Sequence, residues 1–535
     1  MIYINRFFFT IFNQIRKFYL NTNFYDKKIS KIINKDLIYK PSPYLLSSLI
    51  KYQKKKFKIE DFSLDEIWSN NNLSEREYKN LNNFYWFFSL DLKSSKQTTQ
   101  LVIQNWINNN LKYDSKSWDF DLTAKRIIAW LSCHSLTYEG SEQTYKNNFN
   151  KIVQKQTNHL INEINRSNLV DDKLIGCASI ILAGLCYQNE KNYLSFGSSI
   201  LKKISKLALD NYSFPKSRNI KELILYLKYF ILIREWFKES QNSIPEHIDE
   251  TIYYLGQSYA FFQNDSGTDF LFNGNNISDN YEFDNYLKRL GYKFENENQE
   301  TGGYIIFKNK KTSLIMDIGS TPNFKYTKDY QSGTLSFEII SNGKKLITNC
   351  GYYKKNNKFI QLSKSSAAHS ALIIDDNSSC KFAKINNTFL VKNNLKTIKK
   401  KSVFEKNYWK IVASHDGYLK KYNSTHERQI EFYPEQMTFV GIDKIIKKKA
   451  NYNYKFDIRF HMEPGVKLMK TQDNKAILIE LDDEGWKFTC ENYEINIDNG
   501  LYFGNKNLYT ENQNIFISGI SNDQIQNIKW EIKKI

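Results

Sequence analysis

The amino-acid sequence predicts an α+β multidomain protein, with a helical N-terminal part followed by antiparallel β-sheets. Apolar residues recur every three to four positions from about residue 60 to 262, which is typical of packed helices. From Gly302 onward, short runs alternate between apolar and polar residues, which is typical of strands. The chain has 535 residues and is too long for one compact core. We therefore expect two large domains, one for each pattern.

The helical part is predicted to be an array of packed helices. The three-to-four spacing is kept through residues 122–131 and again through residues 174–185. Residues 223–237 are apolar nearly all round, so this helix must be covered on every side. Asp171 and Asp172 supply an N-cap and an acidic first turn. Helix pairs without intervening strands favour a helical toroid, either closed or open.

The β part begins after a stretch of turn residues at 263–274, where the helical pattern stops. Strand-like runs follow, for example at residues 335–340, 371–374 and 477–481. They are separated by Asn-Gly, Asp-Gly and Asn-Asn turns, which favour a large antiparallel sheet stack.

These patterns divide the chain into four parts. We predict an N-terminal arm with an amphipathic segment over residues 1–58 and a helical toroid domain over 59–265. A linker is predicted over 266–300, and the antiparallel β domain over 301–535.

The first twenty residues are aromatic and basic. Their longest apolar run, Phe7-Phe8-Phe9, is too short for a membrane span, and no small-residue cleavage site follows it. An amphipathic surface helix fits better, with apolar residues on one side and Arg6, Arg16 and Lys17 on the other. We therefore expect no transmembrane segment, and we expect any membrane contact of this arm to be peripheral. The lack of a clear signal peptide favours the cytoplasm, and the sequence leaves the compartment and the oligomeric state open.

The formal net charge of +19 favours an acidic partner, such as nucleic acid, an anionic membrane or an acidic polysaccharide. The charge is spread over short runs such as Lys447-Lys448-Lys449, and Lys, Asn, Ile, Tyr and Phe are all used heavily. Part of the charge therefore reflects a biased composition. The basic residues show no interleaved aromatic stripe of the kind that stacks on single strands, so we expect no nucleic-acid partner.

Several short motifs occur in a fixed order along the chain. In the helical part they are residues 125–131, 217–219 and 270–274. In the β part they are residues 301–307, 330–338, 347–351, 366–370, 414–418, 426–428 and 457–465. Taken together, they resemble the heparinase II/III family of polysaccharide lyases. The resemblance implies an α/α toroid followed by an antiparallel β-sandwich, and by family a place in the cell envelope or periplasm.

The resemblance also implies a reaction, the cleavage of a uronate-containing glycan by β-elimination. Because the C5 proton of a uronate is a weak acid, such a site must neutralise the sugar carboxylate, remove that proton and protonate the leaving oxygen. In the family, an Asn or His from the toroid neutralises the carboxylate. A Tyr, helped by a His, moves the protons in a cleft between the two domains.

This chain departs from the family pattern at the catalytic positions. The family's Asn-His becomes Asp172-Lys173, of which only Lys173 would neutralise a carboxylate. Residues 217–219 are not followed by the family's Tyr. The nearest tyrosine downstream, Tyr226, fits better as an aromatic residue within a buried helix.

The metal-binding positions also differ. The family's His-Ala-His-Ala-Asp run aligns with residues 329–333, which contain no histidine, and its metal-binding Asp aligns with Asn349. His369 is the remaining strong ligand, and side-chain amides are poor ligands for zinc. The six cysteines include no CxxC pair. We therefore expect neither a metal nor another cofactor.

The candidate site residues follow from the motifs. We predict catalytic roles for His369, His415 and Tyr418, the last as a substitute for the missing family tyrosine because a His-Asp-Gly turn precedes it. Alternation places His426 and Arg428 on one strand face, which suits a sugar carboxylate. The residues predicted to bind substrate are Lys173, Arg218, Asn219, Gln331, His426 and Arg428.

Each candidate also has a structural interpretation. A lone histidine such as His369 is commonly a hydrogen-bonded core residue. The strand face with His426 and Arg428 is equally consistent with a solvated face. Arg218 and Asn219 are placed to cap a helix, although an Arg at a helix N-terminus is electrostatically unfavourable.

Two functions are compatible with these residues. The first is a polysaccharide lyase that cleaves an acidic glycan by β-elimination. The alternative is a catalytically altered family member that binds cell-envelope polysaccharide or helps to process it. Formation of an unsaturated product from a uronate polymer separates the two.

Overall fold

The computed structural model describes most of the chain. The described residues are 12–31, 36–47, 49, 68, 73–89, 96–167, 169–187, 191–263, 267–277, 281–385, 388–449, 453–505 and 508–535. The start of the predicted arm, including Arg6 and Phe7-Phe8-Phe9, and its end at residues 50–58 lie outside this part. The chain forms two compact units. The first contains Met1–Ala208, Leu225–Tyr253 and Glu282–Tyr292, and the second contains Leu209–Ile224, Tyr254–Tyr281 and Lys293–Ile535.

Helices make up the N-terminal part of the chain. Residues 12–20 are helical. The following helices are Asn23–Ile29, Pro43–Ser47, Glu75–Asn82, Lys96–Asn109, Phe120–Ser132, His134–Thr137, Gln143–Glu163, Val170–Tyr187, Lys191–Ala208, Ile220–Glu239, Glu246–Phe262 and Tyr281–Leu290. The last of these lies within the segment predicted as a linker. In the described residues, no helix combines the length and apolar content needed to cross a membrane.

Local sequence explains where several helices begin and why they pack. Ser74 and Glu77 form a reciprocal capping box at the start of Glu75–Asn82. The helix Val170–Tyr187 is buried at every position from Leu174 to Tyr187, as expected for a helix that is apolar on all sides. Gly176 in this helix lies against the Phe120 ring, and a Cβ there would come within 2.5 Å of that ring. The first unit is therefore a closely packed helical array.

The second unit contains the sheets. A five-stranded sheet has the order Glu300–Thr301, Tyr304–Lys308, Thr312–Asp317, Phe337–Ser341 and Lys344–Ile347. An eight-stranded sheet has the order Lys467–Lys470, Ala476–Leu481, Glu484–Cys490, Ile525–Lys534, Thr438–Lys447, Ser424–Tyr433, Tyr408–His415 and Thr397–Glu405. A four-stranded sheet has the order Ile495–Tyr502, Thr510–Ser521, Tyr454–His461 and Leu372–Ile374, and Phe382–Ile385 pairs with Thr388–Val391. Neighbouring strands in these sheets run antiparallel to each other.

One apolar core joins the three larger sheets. Phe337 from the five-stranded sheet, Trp530 from the eight-stranded sheet and Phe460 from the four-stranded sheet all belong to it. The Phe337 and Trp530 rings stack with their centroids 5.6 Å apart. Inward-facing side chains of different sheets thus bury one another, as in a β-sandwich. The predicted fold class, a helical array followed by antiparallel β-sheets, is confirmed.

Candidate active site

The loop before helix Ile220–Glu239 is held by an arginine in an unusual backbone conformation. Arg218 has a φ of 63°, in the left-handed region that non-glycine residues seldom adopt. Its guanidinium donates to the carbonyl oxygens of Gly302, at 2.9 Å, and Gly303, at 3.0 Å. It also donates to Asp317 Oδ1 at 2.6 Å. These bonds explain why an arginine precedes a helix where its charge is otherwise unfavourable.

Two glycines make room for this guanidinium. A Cβ built on Gly319 would lie 2.2 Å from Arg218 Cζ, and one built on Gly303 would lie 3.0 Å from Arg218 Nε. Larger residues at either position would displace the arginine. The glycine motif at residues 302–303 thus accepts hydrogen bonds from Arg218 and leaves space for its guanidinium. This contact with the 217–219 loop was not predicted from the sequence.

A pocket of about 350 Å³ opens beside Arg218. Its lining includes Phe214 and Tyr326 together with Lys216 and Lys400. Lys400 is paired with Glu300, and Arg218 with Asp317. The pocket therefore has less net positive charge than its lysines and arginine suggest.

Asn219 lies close to Gly274 and Asp329. A Cβ on Gly274 would come within 2.7 Å of Asn219 Nδ2 and 2.8 Å of Asp329 Cβ. The Asn219 Oδ1 atom accepts the N–H of Lys221, so this side chain caps the helix while it contributes to the cluster. Asn219, a predicted substrate-binding residue, and Asp329, which was not predicted from the sequence, thus lie on the same side of Gly274.

Gln331 holds three segments around this carboxylate. Its Oε1 accepts the N–H of Gly274 at 3.0 Å, and its Nε2 donates to the carbonyl oxygens of Gly351 and Ser363. The side chain is fully buried. Both polar atoms of the Gln331 amide are hydrogen-bonded to backbone groups, so this geometry does not support the predicted role as a substrate ligand. Gln331 instead positions its neighbours.

The centre of the cluster is a carboxylate, a phenol and an ammonium group. Lys354 Nζ lies 3.0 Å from Asp329 Oδ2, and the Tyr352 phenol is close enough to Asp329 for the carboxylate charge to raise its pKa. The Lys354 side chain is 45% exposed and that of Asp329 is 14% exposed, so solvent reaches both, whereas Tyr352 is only 5% exposed. We name Asn219, Asp329, Tyr352 and Lys354 the Asp329 cluster.

A buried lysine supports the Asp329 cluster from inside. Lys364 Nζ donates to the carbonyl oxygens of Lys328, at 2.6 Å, and Tyr330, at 2.9 Å, on either side of Asp329. It also lies 5.6 Å from the centre of the Tyr352 ring. Burial lowers the pKa of Lys364 to about 7. This lysine therefore fixes the turn that presents Asp329.

The environment shifts the pKa values of Asp329 and Tyr352 in opposite directions. Burial alone would raise the pKa of Asp329, but Lys354 and other lysines nearby outweigh it and hold that pKa below its usual value. Burial, with the Asp329 charge next to it, raises the pKa of the Tyr352 hydroxyl. Near neutral pH, Asp329 is thus an ionised proton acceptor and Tyr352 a protonated donor. Such a divergence is typical of paired acid and base groups.

His369, predicted to be catalytic, is an interior residue. Its Nδ1 atom donates to the Ser365 carbonyl oxygen at 2.9 Å, and its ring lies against Gly333, where a Cβ would come within 2.6 Å. The residue is only 1% exposed. Burial lowers its pKa to about 4. Because protein atoms enclose this imidazole, its geometry lends no support to the predicted catalytic contact, which stays a prediction.

We expect His369 to make stability depend on pH. Its pKa falls from an ordinary 6.5 to about 4 in the folded state, so between these values the unfolded chain binds more protons. Stability is therefore lost as the pH falls through this window, by about 3 kcal/mol for this residue. His369→Asn keeps a donor for Ser365 and removes the titration. Urea unfolding at pH 7 and pH 4 measures this effect. On going from pH 7 to pH 4, the free energy of unfolding of the parent minus that of His369→Asn should decrease by about 3 kcal/mol. A difference that stays constant with pH would contradict this assignment.

His415 and His426 are brought together, but inside the sandwich. They are direct partners on adjacent strands, and His415 Nε2 lies 3.4 Å from His426 Nδ1. His426 Nε2 donates to Asp443 at 2.6 Å, and Arg428 Nε donates to the same carboxylate oxygen at 2.8 Å. Arg428 also donates to the carbonyl oxygen of Ser370. Their strand face is buried, so the predicted contacts of these residues with substrate are not supported.

Tyr418, the third predicted catalytic residue, is also buried. Its hydroxyl donates to the carbonyl oxygen of Leu372 at 2.8 Å. Burial raises its pKa. The phenol is thus a structural donor, and its predicted role as the substitute for the family tyrosine is not supported.

The helical unit holds the remaining candidates. Lys173 is half-buried in the first turns of helix Val170–Tyr187. Burial raises the pKa of the neighbouring Asp172 to about 6, which weakens the repulsion between this carboxyl and an anionic sugar. Tyr226 is 1% exposed, as expected for an aromatic residue in a buried helix.

The family's metal positions do not fit a metal ion here. Asn349 Oδ1 accepts the N–H of Ser370, its Nδ2 donates to Glu338, and backbone groups occupy the Gln331 amide. His369 Nε2 is buried without a hydrogen-bond partner, so it is the one ligand atom left from this set. Within the described ranges, no group of three or more His, Cys, Asp or Glu residues is arranged to hold a metal. We derive no chemical step through a metal.

Asp329, Tyr352, Lys354 and Lys364 were not predicted from the sequence. A signal was present, because residues 352–355 read Tyr-Tyr-Lys-Lys immediately after the motif that ends at Gly351. Aromatic and basic residues at the end of a motif are typical of a binding loop. The partner carboxylate, Asp329, lies more than twenty positions earlier and gives no local pattern.

Comparison with known proteins identifies the C-terminal part of the chain. Residues 296–531 match the family model described as heparinase II/III-like, C-terminal. Sequence comparison with curated proteins finds no match.

Solved structures are similar over nearly the whole chain. A heparinase III gene product with methylated lysines has a TM-score of 0.70 at 14% identity and covers 94% of this chain and 86% of its own. A mutant of heparan sulfate lyase HepC from Pedobacter heparinus has a TM-score of 0.69 at 11% identity and covers 95% and 85%. A further heparinase III structure has a TM-score of 0.67 at 14% identity, with coverage of 94% and 86%.

The chain therefore shares the fold of these solved structures, an α/α toroid followed by an antiparallel β-sandwich. The sequence match to the heparinase II/III-like family covers the C-terminal part of the chain, residues 296–531.

Proposed function

We propose that this protein is a lyase that cleaves a uronate-containing glycan by β-elimination at the Asp329 cluster. The similar structures are named heparinase III and heparan sulfate lyase, and we extend an activity of that class to this chain. Identities of 11–14% support the fold, so the proposal depends on the chemistry of the cluster.

The observation that carries the proposal is the ion pair of Asp329 with the exposed Lys354 ammonium group, next to the Tyr352 phenol. β-Elimination needs a base for the C5 proton, an acid for the leaving oxygen and a positive charge near the uronate carboxylate. The Asp329 carboxylate is ionised, the Tyr352 hydroxyl is protonated and Lys354 is partly exposed. The three groups therefore match the three requirements.

The proposed reaction uses each group once. Asp329 takes the C5 proton, a double bond forms between C4 and C5, and the bond from C4 to the glycosidic oxygen breaks. Tyr352 gives its proton to that oxygen. Because Tyr352 lies near Asp329, the proton on the carboxyl then passes to the phenolate, which restores both groups. Lys354 stays bound to the sugar carboxylate while negative charge develops at C5.

A second candidate is the catalytically altered glycan-binding protein, which the burial of His369, His415 and Tyr418 favours. In this case the exposed Lys354 would contact an acidic glycan, and no bond would be cleaved. The two proposals share the binding surface and differ in the chemistry at Asp329.

One experiment separates them. The full chain is incubated with a series of uronate polymers, and the unsaturated product is followed by its ultraviolet absorbance. Affinity electrophoresis through the same polymers measures binding at low and high salt. Product formation supports the lyase, whereas salt-sensitive binding without product supports the binding protein. If the chain neither cleaves nor binds any of the polymers, both proposals are wrong.

Lys354→Met is expected to weaken binding to the best polymer about tenfold or more at low salt. The reason is the loss of a charge-assisted hydrogen bond to the uronate carboxylate. Affinity electrophoresis gives the ratio directly. Lys355→Met is the matched control, because it removes the same charge from the next, exposed residue. Equal losses in the two variants would show that general charge, not the Asp329 cluster, governs binding.

A further inference from the structure

Large apolar side chains are exposed together near the N-terminus. Phe12 is 66% exposed, Ile15 58%, Phe18 77% and Phe24 71%. Single exposed apolar residues are common, but four within thirteen positions are unusual for a surface that faces only water. We name these four residues the N-terminal apolar patch.

The segment that carries the patch is firmly attached on its other side. Tyr25 and Ile29 are fully buried, and the Tyr25 hydroxyl is hydrogen-bonded to His159 Nδ1 at 2.7 Å. Asp26 forms an ion pair with Lys155 at 2.7 Å. These contacts fix residues 23–29 on the helical unit, so the exposure of Phe24 is not the result of a frayed end.

Arg16 attaches the preceding helix in the same way. The sequence pattern placed Arg16 on the solvent side, but the structure pairs it with Glu163 and places its guanidinium 4.8 Å from the centre of the Tyr19 ring. Leu20 is buried as well. The helix at residues 12–20 therefore packs through Arg16 and Leu20 and exposes Phe12, Ile15 and Phe18.

Within residues 12–31, the exposed charged side chains are lysines. Lys17, Lys27, Lys28 and Lys31 are exposed, and Asp26, the one acidic residue in the stretch 12–31, is already paired. Lys27 and Lys28 lie three and four positions after Phe24 and therefore share its side of the helix. Aromatic side chains flanked by lysines are typical of helices that lie in the interface of an anionic bilayer.

We propose that the N-terminal apolar patch binds the surface of an anionic lipid bilayer. The phenylalanines enter the boundary between headgroups and acyl chains, about 5–10 Å deep, and the lysines contact the anionic headgroups. Binding of a second copy of the chain is less compatible, because a two-fold interface would bring the lysines of both copies together. This function is independent of the Asp329 cluster.

The test is flotation of the full chain with lipid vesicles. We expect binding to vesicles that contain phosphatidylglycerol, with affinity at least about tenfold lower for pure phosphatidylcholine and reduced by salt. Lys17→Gln/Lys27→Gln/Lys28→Gln should weaken binding about a hundredfold, since each lysine near such a surface contributes about fivefold. Phe12→Ser/Phe18→Ser/Phe24→Ser should abolish it.

A matched control removes exposed apolar residues elsewhere. Met469→Ser/Ile520→Ser changes side chains that are 64% and 59% exposed on the second unit and should leave vesicle binding unchanged. Unfolding midpoints show whether the variants are folded. If the phenylalanine variant does not fold, the lysine variant still tests the proposal. The proposal is overturned if the parent does not float with either vesicle. It is also overturned if the patch variants bind like the parent, or if they only convert a dimer to a monomer.

Discussion

Asp329→Asn should reduce the rate of glycan cleavage about a hundredfold or more, the usual effect of losing a general base. The amide keeps the size of the carboxylate and can still accept a hydrogen bond from Lys354, but it does not take up the C5 proton. Tyr352→Phe should have a similar effect, because the leaving oxygen then departs without a proton donor. The measurement is the initial rate of unsaturated product formation on the best polymer.

The two variants should not be additive. Because Asp329 and Tyr352 exchange one proton within a single cycle, the double variant should be little slower than either single variant. Tyr353→Phe is the matched control, since Tyr353 is the next residue and its ring packs against Phe359 and Phe503. If Asp329→Asn and Tyr352→Phe stay within a few-fold of the parent while folding normally, the proton-transfer roles are wrong.

The fold could be predicted because its main signals are periodic. Residues 223–237 of helix Ile220–Glu239 are apolar nearly all round, so this helix has to be covered, and most of these residues are buried. The strand Ser424–Tyr433 alternates between buried and less buried residues along most of its length, as the sequence pattern indicates. Such periodic patterns predict which residues are buried, because burial requires apolar residues at regular intervals in the local sequence.

The site was harder to predict because alternation shows which residues share a face but not which face is buried. His426 and Arg428 share a face, as predicted, but Ile430 and Phe432 continue the same face into the core. These two apolar residues were a sequence signal that the face points inward. Charged side chains on it then had to be paired, and Asp443 supplies the partner.

The Asp329 cluster had no local signature at all. Asn219, Asp329 and Lys354 come from three segments separated by about 110 and 25 positions, and Gln331 and Lys364 hold two of these segments in place. Only the folded chain shows that an ionised carboxylate and a protonated phenol lie near each other. The resemblance to a family implies which reaction to expect. The family's catalytic residues, which would mark the site in the sequence, are replaced in this chain.

Asp443 is where we expect the largest effect on stability. Its carboxylate accepts hydrogen bonds from His426, Arg428 and the Trp530 indole, at 2.6, 2.8 and 2.9 Å. Burial alone would raise its pKa, but Arg428 and His426 hold that pKa well below its usual range. Asp443→Asn would leave the Arg428 guanidinium uncompensated in the core, which costs about 3–5 kcal/mol. Urea unfolding of the full chain measures this loss.

Removing both charges should be less harmful than removing one. Arg428→Met/Asp443→Leu leaves no unpaired ion in the core, so it should recover part of the stability lost in Asp443→Asn, although Leu335 and Ser370 lose a donor to their carbonyl oxygens. Asp483→Asn, at an exposed position, is the control and should change the free energy of unfolding by less than about 0.5 kcal/mol. If Asp443→Asn is as mild as this control, the Asp443 carboxylate does not neutralise Arg428 in the folded protein. If Arg428→Met/Asp443→Leu is less stable than Asp443→Asn, the Arg428–Asp443 pair contributes more to the stability of the sandwich than the mutual neutralisation of its two charges.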